Sequence, residues 1–188
     1  METLIVYALK YSNLYKQNIL GVFHIACGCV CGQQVRFDIG RQIRKQLYEE
    51  CGNPLTPKAI LETDLTLIKN LTPSRAKLLL QMAEIDDQRL AEDVIKDYSK
   101  LKGFGQWTID AVSILTNASD SINLSGDAYI RKNLSIYTGI TMTEKTCYNY
   151  ILDAGKHQTA ICYLLWRIKP QSVNKMKQNK KLTLEDFV

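Results

Sequence analysis

Apolar residues recur along this chain at helical spacing, three and four apart, in stretches separated by short polar breaks. Runs that alternate apolar and polar residues, as a half-buried strand would, are scarce. Met1–Asn18 reads as one or two helices. Leu20–Cys31 is apolar on most faces and reads as a buried helix, followed by a turn at Gly32-Gln33-Gln34. Val35–Glu50 is amphipathic, with Ile39, Ile43 and Leu47 on one stripe. Gly52-Asn53-Pro54 ends it. Thr56-Pro57 and Thr72-Pro73-Ser74 each place a capping hydroxyl before a proline, the usual way a helix starts. Asp64–Asn70 makes a short helix between them. Ala76, Leu79, Leu80 and Ala83 form the apolar stripe of the second. Leu90–Ser99 and Gln106–Leu115 follow, separated by a glycine turn. Asn117–Ser125 is a polar loop. Asp127–Tyr137, stopped by Gly139, then Thr143–Asp153 and His157–Ile168 complete the series. The expectation is an all-α protein of about ten helices in two packed bundles.

Size and composition narrow this picture. The chain has 188 residues, of which 46% are hydrophobic, enough for one compact domain or two small ones with a shared core. Residues 1–168 are expected to form that domain, as two helical subdomains around a cleft, with 169–188 a basic C-terminal tail. No apolar run approaches the roughly 18 residues of a membrane span, so no membrane partner is expected. Met1-Glu2 opens without the basic region of a secretory signal. The six cysteines then read as reduced thiols of a cytoplasmic or nuclear protein. Cys27, Cys29 and Cys31 invite a metal reading, but on a helix Cys29 points away from the other two. Small buried residues are the expectation, and no metal site. Net charge is +5. Residues 167–188 carry six of the basic side chains against Glu185 and Asp186, so the rest of the chain is nearly neutral. A positive face on the body must come from arrangement rather than from excess. The lysine-rich end reads equally as a solvated terminus or as a DNA contact.

The most informative segment is Leu101-Lys102-Gly103-Phe104-Gly105-Gln106-Trp107-Thr108. Two glycines two apart between helices make a tight turn, and the helix that follows offers its first amides to an anion such as a DNA phosphate. Alone this signal is weak. Trp107 and Thr108 follow at once, and Ser125-Gly126-Asp127 opens a new helix with Asp127 twenty positions after Trp107.

These residues resemble the helix-hairpin-helix DNA glycosylase superfamily, and within it the alkylation-repair branch, 3-methyladenine DNA glycosylase II. The likeness runs from about Phe23 to Trp166. Cys31-Gly32-Gln33-Gln34-Val35 looks like that branch's Gly-Gln-Gln-Val/Ile-Ser turn, which enters the minor groove beside the lesion. Ser74-Arg75-Ala76-Lys77 resembles its Ser-x-x-Lys-Ala helix start. Leu101–Thr108 resembles its Leu-Pro-Gly-Ile-Gly-x-Trp-Thr hairpin, Gly126-Asp127 its catalytic Gly-Asp, and Leu164-Leu165-Trp166-Arg167 its closing Tyr-Leu-Trp-Arg. There are departures: Arg36 for serine, Lys102 for the hairpin proline, and Ala154-Gly155-Lys156-His157-Gln158 in place of a Trp-x-Pro-x-Arg element. The N-terminal sheet domain of the longer bacterial enzymes has no room ahead of Phe23.

The resemblance implies a helix-hairpin-helix glycosylase fold and a monofunctional DNA glycosylase of base excision repair. Its substrate would be double-stranded DNA with alkylated, cationic purines such as 3-methyladenine, and it would act as a monomer in the bacterial nucleoid or a nucleus. Asp127 is the candidate catalytic carboxylate, because cleavage of an N-glycosidic bond puts positive charge on the sugar. Asp127 also reads as a helix N-cap. Trp107 stands where strand-cutting relatives carry a lysine nucleophile, which implies hydrolysis by water without lyase activity. Trp107 and Trp166 are the expected base pocket, although either tryptophan also reads as core. Gln34 is the expected plug for the space of the flipped base, with Gln33 touching the opposite strand or neighbouring backbone; capping of helix ends is the structural alternative. Lys102, Gly103, Phe104, Gly105, Gln106 and Thr108 are the expected phosphate contacts. A monovalent cation at the hairpin carbonyls is the one ion implied; the cysteines of an iron–sulfur cluster are absent. His24 reads as a satisfied core histidine, and Asp110 and Asp120 as solvent-facing. The other readings are a non-catalytic DNA-binding protein that keeps the hairpin, a glycosylase for another damaged base, and a bifunctional glycosylase/lyase for oxidised bases.

Overall fold

The computed structural model describes residues 1–12, 21–85 and 87–187. The ends of the first two expected helices that fall on residues 13–20 lie outside them. Eleven α-helices are present among the described residues: α1 (Glu2–Ser12), α2 (Val22–Gly32), α3 (Phe37–Cys51), α4 (Pro57–Glu62), α5 (Pro73–Ala83), α6 (Ala91–Tyr98), α7 (Gln106–Thr116), α8 (Ala128–Thr138), α9 (Glu144–Leu152), α10 (Gln158–Arg167) and α11 (Val173–Lys177). Extended pairing among them is limited to one isolated bridge, Ile168 with Phe187. The expected all-α class is what the chain adopts. It divides into two compact units, Ile19–Thr116 and the pairing of Met1–Asn18 with Asn117–Val188.

Side-chain caps set several helix starts, those at Thr56 and Thr72 as read from the sequence. Thr56, Thr72 and Thr143 accept from the amides of Ala59, Arg75 and Thr146, and Thr143 and Thr146 cap each other reciprocally. The expected helix over Asp64–Asn70 is shorter, a single 3₁₀ turn at Leu65–Leu67.

In the unit Ile19–Thr116, α2 is the central element, packed by α3, α5, α6 and α7. That explains its composition. Phe23, Ala26, Cys27, Cys29, Val30 and Cys31 are all buried, so no face of α2 is left for charge. Cys29, which helix geometry sets nearly opposite Cys27 and Cys31, is buried as they are. Gly40 lets α3 lie close: a methyl there would stand 3.2 Å from the Gly32 Cα and 3.3 Å from the Cys31 carbonyl. His24 is the core histidine expected. It is buried, its Nδ1 accepts from the Leu55 amide at 2.9 Å, and its ring stacks on Tyr48.

In the other unit, α10 packs on α1, α8 and α9. The basic C-terminal stretch is part of this body rather than a solvated end. Val173, Met176 and Leu182 are buried, and α11 packs on α8 and α1. Tyr7 and Tyr11 donate hydroxyl bonds to the Lys180 and Leu182 carbonyls at 2.6 and 3.0 Å. Asp186, 2% exposed, accepts from Lys175 Nζ at 2.6 Å and from the Thr183 amide at 2.8 Å. Lys175 beside it, the foremost of several donors, holds its carboxyl well below the usual carboxylate range. The charge that suggested a loose tail is partly what fastens it.

Candidate functional site

The glycine turn forms where expected. After α6, Leu101 N–H donates to the Tyr98 carbonyl (3.0 Å) and Phe104 N–H to the Leu101 carbonyl (3.1 Å). Gly103 takes φ +102°, a left-handed angle that a side chain would strain, whereas Gly105 does not. Only the first glycine is required by backbone shape. Thr108 and Ile109 N–H both donate to the Gly105 carbonyl at 2.9 and 3.1 Å, which starts α7. The Gly105 and Gln106 amides donate to no backbone carbonyl among the described residues. Exposed amides at the start of an eleven-residue helix suit an anion.

Lys102, Gly103, Gly105 and Gln106 are exposed, as a DNA contact requires. Phe104 and Thr108 are not, and this corrects their assignment as contacts. Both are 2% exposed. Phe104 lies in the core with its ring 5.4 Å from Tyr98. Its amide already serves the turn, and an apolar ring at that point anchors the hairpin from below. Asp110 is a second correction. It is half-buried rather than solvent-facing, accepts from Gln106 Nε2 at 2.8 Å, and burial raises its carboxyl pKa.

The two glutamines separate in role. Gln34 is exposed with φ +48°, an uncommon angle for a residue with a side chain, so the turn after α2 presents it outward. Gln33 turns inward. Its Nε2 donates to the Gly103 carbonyl at 2.9 Å and to Thr108 Oγ1 at 2.7 Å. Its own carbonyl accepts from the Arg75 guanidinium. The expected contact of Gln33 with DNA is thus replaced, for this nitrogen, by a bond to the protein's own hairpin. Arg75 was visible in sequence only as part of a motif. A cation in the first turn of a helix opposes the helix dipole, and that mismatch was the available sign that it serves a specific partner.

Asp127 caps α8. Its Oδ1 accepts from the Tyr129 amide at 2.8 Å and the Ile130 amide at 3.1 Å. The cap reading of this residue holds: Oδ1 accepts both amides, which fixes the plane of the carboxylate. The preceding turn is held too, since Arg131 donates to the Ser125 carbonyl at 2.9 Å. Beneath it lies Cys147, fully buried, its thiol pushed up to about 11 mainly by burial. Tyr129 Oη donates to the Ile168 carbonyl (3.3 Å), and Asn133 Nδ2 to those of Leu165 and Ile168 (2.7 and 2.8 Å). The last turn of α10, which carries Trp166, is thereby held against the first half of α8, which starts from Asp127. Trp166 and Trp107 are both half-buried.

All six cysteines are free and buried. Burial pushes Cys29 and Cys31 up to about 12, against the opposing pull of Arg44. No cluster of three or more His, Cys, Asp or Glu able to hold a metal occurs among the described residues.

No family model and no curated protein sequence matches the chain. Solved structures do. The fold is similar to that of a 3-methyladenine DNA glycosylase from Archaeoglobus fulgidus, at TM-score 0.65 and 16% identity, over 77% of this chain and 57% of that one. It is also similar to that of the Schizosaccharomyces pombe 3-methyladenine DNA glycosylase Mag1 in complex with abasic DNA, at TM-score 0.61 and 20% identity, over 78% of this chain and 79% of that one. The chain thus spans little more than half the length of the archaeal protein. At these identities the likeness is one of fold, and it is the fold that the sequence motifs imply.

Proposed function

We propose that this chain is a monofunctional DNA glycosylase that flips an alkylated, cationic purine such as 3-methyladenine out of double-stranded DNA and hydrolyses its N-glycosidic bond. The observation that carries the reading is the Asp127 carboxylate, fixed by its cap at the start of α8, in a chain whose hairpin helix bears Trp107 instead of a lysine. The fold likeness supports it, because both solved relatives are named 3-methyladenine DNA glycosylases and one was seen with abasic DNA.

The residues then divide the work. The Gly103–Gly105 hairpin, with Lys102 and Gln106 exposed beside it, takes a backbone phosphate. Gln34 enters the duplex and fills the space left by the extruded nucleotide. The base stacks on indole, and a cationic purine is attracted to an indole face by about 0.5–2 kcal/mol. The bond from the sugar C1′ to the base nitrogen breaks with its electron pair going to the base, which leaves neutral. Positive charge on the sugar is stabilised by Asp127. Water adds at C1′ and gives its proton to that carboxylate, which returns it to solvent. An indole forms no Schiff base, so the strand stays uncut. A monovalent cation at the hairpin belongs to this reading, although the Leu101, Gly103 and Gly105 carbonyls already accept hydrogen bonds from the protein. The enzyme works as a monomer, in a bacterial cytoplasm or a nucleus.

One observation favours the non-catalytic reading: capping alone accounts for Asp127. The test is release of free base from methylated duplex DNA by the wild type and by Asp127→Asn. Release by the wild type only supports the proposal. No release by the wild type overturns it in favour of a binding module, and a borohydride-trapped protein–DNA adduct would favour the lyase.

A further inference from the structure

Gln33 joins three parts of the chain that are distant in sequence. Its carbonyl is held by Arg75 from the first turn of α5. Its side-chain nitrogen reaches 70 residues on to the Gly103 carbonyl and 75 residues on to Thr108 Oγ1. The residue after it is Gln34, outward-facing in its left-handed conformation. The two features offered to DNA, the Gln34 turn and the glycine hairpin, therefore meet at one side chain. One bond goes to the glycine whose positive φ shapes the hairpin. The other goes to the hydroxyl of Thr108, a residue that is 2% exposed.

Such a link has a use if the Proposed function holds, on which this step rests. A side chain inserted into a duplex displaces a nucleotide productively only when its distance from the phosphate anchor is fixed. Looseness of about 1 Å in such a constellation is costly. We infer that Gln33, oriented by Arg75, is a positioning residue that locks the Gln34 turn and the Gly103–Gly105 hairpin into one rigid DNA-reading surface, with Thr108 as its buried anchor.

Thr108 gives the inference its test, because it is buried and a direct-contact role for Gln33 assigns it nothing. The variants are Gln33→Met, Thr108→Val, their double mutant, and Thr108→Ser, which keeps the hydroxyl. The first readout is affinity for duplex DNA bearing an abasic-site analogue, compared with undamaged duplex. Gln33→Met weakens the analogue complex about tenfold and Thr108→Val about fivefold, as expected for one or two lost hydrogen bonds. The loss on undamaged duplex is smaller than on the analogue, Thr108→Ser behaves as wild type, and the double mutant is no worse than Gln33→Met. The second readout is hydrogen exchange of the free protein, where Gln33→Met speeds exchange at the Gln33, Phe104 and Thr108 amides together.

A Thr108→Val variant that binds the analogue like wild type, beside a Gln33→Met variant that does not, overturns the inference in favour of direct contact. Unchanged exchange at the hairpin amides overturns it as well. Failure of the glycosylase reading looks different: the wild type itself neither releases base nor prefers the abasic duplex. The exchange experiment then still decides whether Gln33 locks the two elements.

Discussion

Asp127 is asked to do two things, and the structure allows them to be separated. Its cap uses Oδ1 for two backbone amides, at 2.8 and 3.1 Å. Asparagine carries an oxygen in the same place and caps about as well as aspartate, so Asp127→Asn should lose only the charge–dipole contribution, about 0.3–1 kcal/mol. Alanine caps nothing: Asp127→Ala should lose about 1 kcal/mol from the cap, with up to another 1 kcal/mol from the carboxylate at a helix N-terminus. In a chain of 188 residues that corresponds to a fall of roughly 2–8 °C in Tm. Activity should order them differently. Both variants lack the carboxylate proposed to face the developing sugar charge, so both should lose about 10²–10⁴-fold in the single-turnover rate of base release. The assay pairs thermal melts with single-turnover release of methylated base from duplex DNA. An Asp127→Asn variant that keeps wild-type activity would refute the chemical role. One that melts as early as Asp127→Ala would refute the separation of cap from chemistry.

Four other outcomes follow from the same structure. Gly103→Ala should cost about 1–2 kcal/mol because its φ is left-handed, whereas Gly105→Ala should be nearly neutral for folding, since a methyl there meets nothing within 4 Å; equal destabilisation in denaturant melts would refute the distinction. Trp107→Ala should weaken release of cationic bases more than binding of an abasic analogue, and equal losses would sink the stacking role. His24 is buried and its pKa is lowered by desolvation, so the unfolded chain takes up its proton first. Stability should fall as pH drops below the unfolded value of about 6.5, and this slope should flatten in His24→Asn; an identical slope in the variant would contradict it. The Asp186 pKa is depressed, so its contribution is present above the unfolded value of about 3.9 and lost as pH falls through its lower folded one. Lys175→Ala should lower Tm and open residues 178–187 to protease, and an unchanged digestion pattern would refute the fastening of that segment.

Helix positions were largely legible because local chemistry sets them. Thr56, Thr72, Thr143 and Asp127 are caps whose side chains bond within three residues of themselves, so the signal lies inside a short window. The C-terminal stretch was not legible for the opposite reason. Its apolar residues are few, and what fastens it lies at the other end of the chain, with Tyr7 and Tyr11 bonding to backbone 173 and 171 residues away. The candidate site divides in the same way. Gly103, Gly105 and Asp127 declared themselves through turn and cap chemistry. Gln33 did not, because a glutamine beside a turn has the same composition whether its amide faces DNA or the protein's own hairpin. Phe104 and Thr108 were misplaced by treating the whole glycine turn as surface. Thr108 lies one helical turn before Ala111 and Val112, both fully buried, and that spacing was a readable sign that it faces inward.

The central claim is removal of a base by water, without strand scission. It is tested most directly by incubating the protein with end-labelled duplex DNA containing methylated purines and following both products. The account predicts free methylated base, a strand that stays full-length until alkali cleaves the abasic site, and no adduct with borohydride. An intact base after full incubation, or a strand cut without alkali, would contradict it.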